Sequence, residues 1–143
     1  MLRVRREQIE AFQPVAEAEF ALRVVDYLRQ HYPKLIVKQV DALTLVERLP
    51  EESLLQLVRS GIARARANGF TFSSSISAFV VLMFKAAPNF DQNPTISHSL
   101  KELLPEEQRI PKLLEIAGPE IWQKAKEQYD PSAWKQSPRG TQQ

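Results

Sequence analysis

Apolar residues recur at three- and four-residue spacing through most of this chain, and that spacing predicts an all-α protein. Only 4 glycines occur in 143 residues, and two of them, Gly69 and Gly118, stand where apolar-periodic segments end, as helix-terminating glycines do. Prolines followed by paired acids, at residues 50–52 and 105–107, are typical of helix starts, because acidic side chains suit the positive end of the helix dipole. We therefore predict a single compact helical domain over residues 1–130 and a partly disordered C-terminal tail over residues 131–143.

The first predicted helical element covers residues 5–30. Pro14 cannot donate an amide hydrogen bond to the carbonyl of Glu10, so we expect a short leading helix and a longer helix that restarts near Gln13. The apolar stripe of this element consists of Ile9, Phe12, Ala16, Phe20, Val24 and Tyr27.

The segment LIVKQVDALTLVE, within residues 34–47, is rich in β-branched residues and could form a strand, but its apolar residues can also line one side of a helix. We predict a helix there. The next helix is expected to begin after Pro50 and to end at residues 67–69. Gly61 in its middle costs about 1 kcal/mol relative to alanine. Either a neighbouring helix passes closely at Gly61, or the glycine is simply tolerated.

The central helix is predicted over residues 74–87, between the turn at Asn68-Gly69 and the stop at Pro88. We expect one of the serines at 73–75 to cap its first turn. The helix is apolar on nearly every side, which predicts burial on nearly every side. Its length of about 18 Å is well short of the ~20 residues that a membrane crossing needs, so we predict a core helix and no membrane insertion.

Three further helical segments are expected, at residues 95–104, 105–118 and from 119 to about 129. The loop between the central helix and the first of them, residues 89–94, is polar apart from Phe90, which we interpret as an aromatic plug. Periodicity is lost after Asp130-Pro131, and disorder is expected from about Gln136 onward. Trp134 is expected either to dock on the domain or to be free to dock on a partner.

The charge of the chain argues against nucleic-acid binding. Its formal net charge is +2, from 19 basic and 17 acidic residues spread along the sequence, and no dense basic cluster occurs. The absence of cysteine excludes disulfides and thiolate ligands and suits a cytoplasmic protein. The basic N-terminus is not followed by an apolar run, so we do not predict a secretory signal.

No pattern in the sequence predicts an enzyme, a metal site or a cofactor site. The only histidines, His31 and His98, are far apart and lack a metal-binding spacing. Helix capping explains the serines at 73–75 better than nucleophilic catalysis does, since no base is placed near them. The loop at Asp91 lacks the further carboxylates of a calcium site.

Aromatic residues in loops and at the C-terminus suggest partner binding. Phe70, Phe72, Phe90 and Trp134 lie outside the helical stripes, where aromatics are either core plugs or binding anchors. Each one alone fits a core plug better, whereas together they favour a partner-binding face. We therefore predict a non-enzymatic, partner-binding protein.

Three segments, RxGIxRARxNGFT from Arg59, SxxxAFVxLMFxxAPNFDxNP from Ser74 and PEExRIPKLLEIAG from Pro105, carry a family resemblance. In this order they resemble small helical accessory proteins encoded beside VgrG, PAAR and toxic effector genes of bacterial type VI secretion systems. The resemblance covers residues 1–118 and implies a cytoplasmic chaperone, co-chaperone or adaptor that binds a secreted effector or its PAAR- or VgrG-linked adaptor. Together with the C-terminal aromatic, the matched positions expected to contact the partner are Arg64, Phe70, Phe90, Asp91 and Trp134.

Two other functions fit a small helical protein. An immunity protein would bind and inhibit a cognate toxin, although an acidic face suited to blocking a nuclease is not evident in this balanced sequence. A DNA-binding regulator would pair residues 51–67 with the central helix as a helix-turn-helix, but the central helix is too apolar to present base-reading side chains in a groove.

Overall fold

The computed structural model describes the backbone of residues 13–134 and the side chains from residue 17 onward. It is 69% helical with one small sheet, which confirms the all-α prediction. Six helices occur in this part of the chain: α1 (Gln13–His31), α2 (Glu51–Ala67), α3 (Ser73–Lys85), α4 (Pro94–Leu100), α5 (Glu106–Ile116) and α6 (Pro119–Glu127). The sheet is a hairpin of β1 (Ile36–Gln39) and β2 (Ala42–Leu45).

The antiparallel hairpin overturns the prediction of a helix within residues 34–47. Ile36 pairs with Leu45 and Gln39 pairs with Ala42, so only Val40 and Asp41 remain for the turn. Val37 is 1% exposed, and its neighbour Ile36 is 51% exposed. This alternation of burial is the two-residue period of a strand, which the β-branched residues favour and the apparent helical spacing concealed.

Helices α2 and α3 pack against each other at the centre of the domain, and Gly61 lies where they meet. A Cβ atom at Gly61 would lie 3.1 Å from both the sulfur of Met83 and a methyl carbon of Val80. The close helix approach is therefore the correct alternative at this position, because even a Cβ atom there would contact α3 more tightly than ordinary packing and its side chains would have to shift.

The turn between α2 and α3 has the predicted left-handed glycine but not the predicted serine cap. Asn68 is the C-cap of α2, and Gly69 follows with φ of 92°. The N-cap position of α3 is Phe72, and no side chain of α3 caps the helix start. The carboxylate of Glu106, at the start of α5, instead accepts hydrogen bonds from the amides of Thr71 and Phe72, both at 2.6 Å.

The end of the described chain is packed on the domain. Residues Pro131–Trp134 form a short 3-10 turn, and Ala133 and Trp134 are buried. Of the two alternatives for Trp134, docking on the domain is therefore the one observed. The expected leading helix before residue 13 and the expected disorder from residue 136 lie outside the described residues.

Candidate partner-binding site

The five residues expected to contact a partner all lie in the interior of the domain. Phe70, Phe90 and Trp134 are at most 2% exposed, and Arg64 is 8% exposed. The side chain of Asp91 is 9% exposed. These residues therefore do not form an exposed contact face, and the surrounding contacts show that they hold the fold together.

Arg64 and Asp91 form a buried ion pair between α2 and the loop after α3. Nε of Arg64 donates to both carboxylate oxygens of Asp91 at 3.0 Å, and the guanidinium nitrogen Nη2 of Arg64 lies 3.0 Å from Oδ1 of Asp91. The side-chain amide of Asn68 donates to Oδ2 of Asp91, also at 3.0 Å. Arg64 and Asn68 together supply hydrogen-bond donors to both oxygens of the buried Asp91 carboxylate. These bonds hold the loop against the end of α2.

The two asparagines of the same loop fix two other parts of the chain. Asn89 donates from its side-chain amide to the carbonyl of Gln128 at 3.0 Å and accepts from the amide of Asp130 at 2.9 Å. Asn93 caps α4, because its side-chain oxygen accepts from the amides of Thr95 and Ile96. Residues 89–93 are therefore a structural junction that joins α2, α4 and the C-terminal segment.

The loop aromatics complete a chain of ring contacts through the core. The ring of Phe79, on α3, lies 5.8 Å from Phe70 and 4.8 Å from Phe90 between ring centroids. The ring of Trp134 packs at 4.7 Å from Phe84, further along the same helix. Phe70, Phe90 and Trp134 thus have the core-plug role that is the better interpretation for each alone, whereas Phe72 is 50% exposed and does not.

Tyr129 connects the C-terminal segment to the hairpin. Its hydroxyl accepts hydrogen bonds from the indole N–H of Trp134 at 2.8 Å and from the amide of Lys38 at 3.0 Å. It donates to the carbonyl of Lys38 at 3.1 Å. Burial raises the pKa of this hydroxyl, although the hydrogen bonds involving Trp134 and Lys38 act in the opposite direction.

An apolar groove runs along the face of α3 that points away from this core. Ala78, Val81 and Leu82 form its floor and are only half-buried, so the expectation that α3 is buried on nearly every side is wrong for this face. The groove has a volume of about 650 Å³. Within the described structure, the apolar surface of the groove therefore remains in contact with water.

Two helices form the walls of this groove. On one side, α1 contributes Phe20, Arg23, Val24 and Tyr27. On the other side, α5 contributes Ile110 and Leu114, and Leu114 is 53% exposed. The hydrogen bonds from Thr71 and Phe72 to Glu106 hold the first turn of α5 beside the start of α3, and Ile110 and Leu113 pack α5 into the core.

The polar residues of the groove lie on α3 and α1. Ser73, Ser74 and Ser77 supply hydroxyl groups at one end, and Lys85 lies at the other end. The charged lining residues within the described chain are the cations Arg23 and Lys85, with no carboxylate among them. The groove is thus an apolar surface with a positive rim, suited to binding by contact and charge.

A second apolar surface lies on the outer side of the hairpin. Ile36, Val40 and Leu43 are 51%, 64% and 67% exposed. Unlike the residues that line the groove, these residues project from a two-stranded hairpin. The groove is therefore the better candidate site, because concave apolar surfaces bury most of a bound group.

No helix within residues 13–134 is long and apolar enough to cross a membrane. In the same part of the chain, no three metal-binding side chains come together as a cluster. No protein-family model, curated protein or solved structure gives a significant match to this chain. The assignment of the groove as the candidate site therefore rests on its geometry.

Proposed function

We propose that this chain is a non-enzymatic binding protein that holds an apolar segment of another protein in the groove over α3. The observation that supports this function is the half-buried floor of Ala78, Val81 and Leu82 on a helix whose opposite face is fully packed. A folded domain gains free energy when a partner covers such a surface, at about 25 cal/mol for each Å² removed from water.

The partner we propose is a secreted effector of a type VI secretion system, or the PAAR- or VgrG-linked adaptor of that effector. This identity comes from the resemblance of the three sequence segments to effector-associated accessory proteins. A chaperone of this kind acts in the cytoplasm before the effector is loaded, and covering an apolar segment of the effector would keep that segment from aggregating.

The test is an affinity pulldown from the native cells, with mass spectrometry of the co-eluting proteins. Wild-type protein is expected to recover an effector or adaptor encoded in a type VI secretion cluster. Val81→Glu, which places a charge on the groove floor, is expected to abolish this recovery. Leu103→Glu is the matched control, because Leu103 is fully exposed and lies outside the groove.

A second groove variant protects the test against loss of folding. Ser77→Trp places a bulky side chain at a half-buried groove position, and Gln56→Trp on the exposed side of α2 is its control. Both variants should retain the helical circular dichroism of the wild type. If a folded Ser77→Trp variant recovers the effector as well as the wild type does, the groove is not the binding site.

Deletion of the gene separates a chaperone from an immunity protein. Loss of a chaperone lowers the abundance or secretion of the effector, whereas loss of an immunity protein kills the producing cell. We expect the first outcome. Death of the deletion strain, rescued by inactivating the toxin, would assign the protein to the immunity class instead.

A further inference from the structure

The shape of the groove indicates the form of the segment that it binds. Its lining includes both Ser73 and Lys85, the first and last residues of α3, so the groove follows the whole helix. At 1.5 Å per residue this length is about 18 Å, which matches three turns of a second helix laid alongside. The apolar side walls, α1 and α5, leave a channel for such a helix above the floor.

An extended segment fits this groove less well than a helix. The floor and walls are helices, whose interior backbone groups are already hydrogen-bonded within each helix. An extended segment pressed onto Val81 and Leu82 would lose water from its own N–H and C=O groups without gaining partners. A helix bonds its own backbone groups and can bury an apolar stripe at no such cost.

The rim of the groove indicates the charge of the bound segment. Arg23 lies over the ring of Phe20 at 6.0 Å, and Lys85 lies over the ring of Tyr32 at 5.2 Å. Within the described residues, neither cation has a carboxylate within 4.0 Å, whereas Lys34 lies 2.8 Å from Glu47. Both side chains are exposed and free to meet acidic groups on a partner.

We propose that the groove binds an amphipathic helix whose apolar stripe is flanked by acidic residues. This inference rests on the proposed function and specifies the chemistry of the partner segment. The apolar stripe contacts Ala78, Val81 and Leu82. The acidic flanks face Arg23 and Lys85, which fix the orientation of the helix and disfavour basic helices.

The test uses two synthetic helical peptides of about 15 residues with the same leucine stripe. One peptide carries glutamate on both flanks, and the other carries lysine at the same positions. Binding of each fluorescently labelled peptide to the purified full-length chain is measured by fluorescence anisotropy. The glutamate peptide is expected to bind saturably and at least about tenfold more tightly than the lysine peptide.

A charge reversal then tests the rim. In Arg23→Glu/Lys85→Glu the preference is expected to invert, so that the lysine peptide binds more tightly. Arg59→Glu/Lys124→Glu has the same net charge and changes two exposed cations outside the groove. This control is expected to retain the wild-type preference, which excludes an effect of net charge alone.

Each of three results with the purified protein would overturn the inference. Equal binding of the two peptides by the wild type would show that the rim does not select charge. Absence of binding by either peptide would show that the groove does not take a helix of this kind. A wild-type dimer in sedimentation velocity that Val81→Glu converts to a monomer would show that a second copy of the chain occupies the groove.

These results are distinguishable from failure of the proposed function. The native pulldown reports whether the groove binds an effector or adaptor at all, independently of the peptides. Recovery of an effector that depends on Ser77 but not on Arg23 and Lys85 would leave the function intact and refute the acidic helix. Failure of the pulldown with tight, charge-selective peptide binding would instead refute only the secretion partner.

Discussion

Replacement of Asp91 by alanine is the sharpest test of the structural role assigned to the loop after α3. The substitution removes both acceptors of Arg64 Nε and one of the two acceptors of the Asn68 side-chain amide, which also donates to the carbonyl of Arg64. Arg64 would then remain in an environment where only 10% of its side chain is exposed. A cation left without its partner in the interior is costly, because within residues 17–134 no other carboxylate lies within 4.0 Å of Arg64 and little water reaches it.

The expected loss of unfolding free energy is about 3–5 kcal/mol, the range for breaking a buried ion pair by removing one partner. A domain of this size is stable by only about 5–15 kcal/mol, so the loss is a large fraction of the total. The double variant Arg64→Met/Asp91→Leu removes both charges and keeps most of the volume. We expect it to be more stable than Asp91→Ala, because no unpaired charge stays buried.

Urea unfolding followed by circular dichroism at 222 nm measures these free energies. Asp26→Ala, on the exposed side of α1, is the control and should change stability by less than about 0.5 kcal/mol. A loss below about 1 kcal/mol for Asp91→Ala would refute the buried pair. Equal loss in the double variant would show that the unpaired charge is not the cause.

Three further variants probe other junctions of the fold. Gly61→Val should destabilise the domain by about 1–3 kcal/mol in urea unfolding, since its side chain would collide with Val80; unchanged stability would contradict the close helix packing. Glu106→Gln should cost about 1 kcal/mol at pH 7. Burial alone would raise the pKa of Glu106, but the hydrogen bonds from the Phe72 amide and from the hydroxyl and amide of Thr71, together with the charge of Arg109, outweigh burial and lower this pKa. The stability advantage of the wild type over Glu106→Gln should therefore shrink as the pH falls through the folded-state pKa of Glu106. An advantage that stays constant with pH would contradict this. Tyr129→Phe should cost about 1–2 kcal/mol and speed hydrogen exchange of the Lys38 amide, and protection equal to the wild type would exclude the observed hydrogen bond.

Helix boundaries were predictable because local chemistry determines them. The prolines before α2 and α5, the paired acids in their first turns and the turn at Gly69 place these ends within a few residues of the observed ones. The short helix α4 ends at Leu100 rather than at residue 104, and a turn over residues 101–104 connects it to Pro105. These helix ends depend only on residues close by in the chain, so they can be predicted from one sequence.

The hairpin was missed because its signal is ambiguous over so few residues. Apolar residues at 35, 36, 40, 43 and 46 fit a helical stripe about as well as they fit two short strands. The strand pairing is decided by burial of Val37 and by the contact of Lys38 with Tyr129, which is 91 residues away in sequence. Contacts at that separation are not visible in local periodicity.

The groove could not be located from the sequence for a similar reason. The apolar content of α3 indicates how much surface could be buried, but which face of α3 is left uncovered within residues 13–134 depends on where α1 and α5 lie. Glu106 ties the start of α5 to the start of α3, a contact that the helix-dipole explanation of its charge does not predict. The sequence offers a hint in retrospect, since Val81 and Leu82 add apolar surface beyond the stripe that one packing face requires.

The burial of Arg64, Phe70, Phe90 and Asp91 changes what the resemblance to secretion accessory proteins can support. Each of these residues is occupied by contacts within the chain, so sharing them would indicate a shared fold and not a shared partner. Selection of a partner must instead depend on surface residues. We propose that in this chain those are the floor of the groove and its two cations, and exchange of Arg23 and Lys85 for glutamate tests that proposal without disturbing the core.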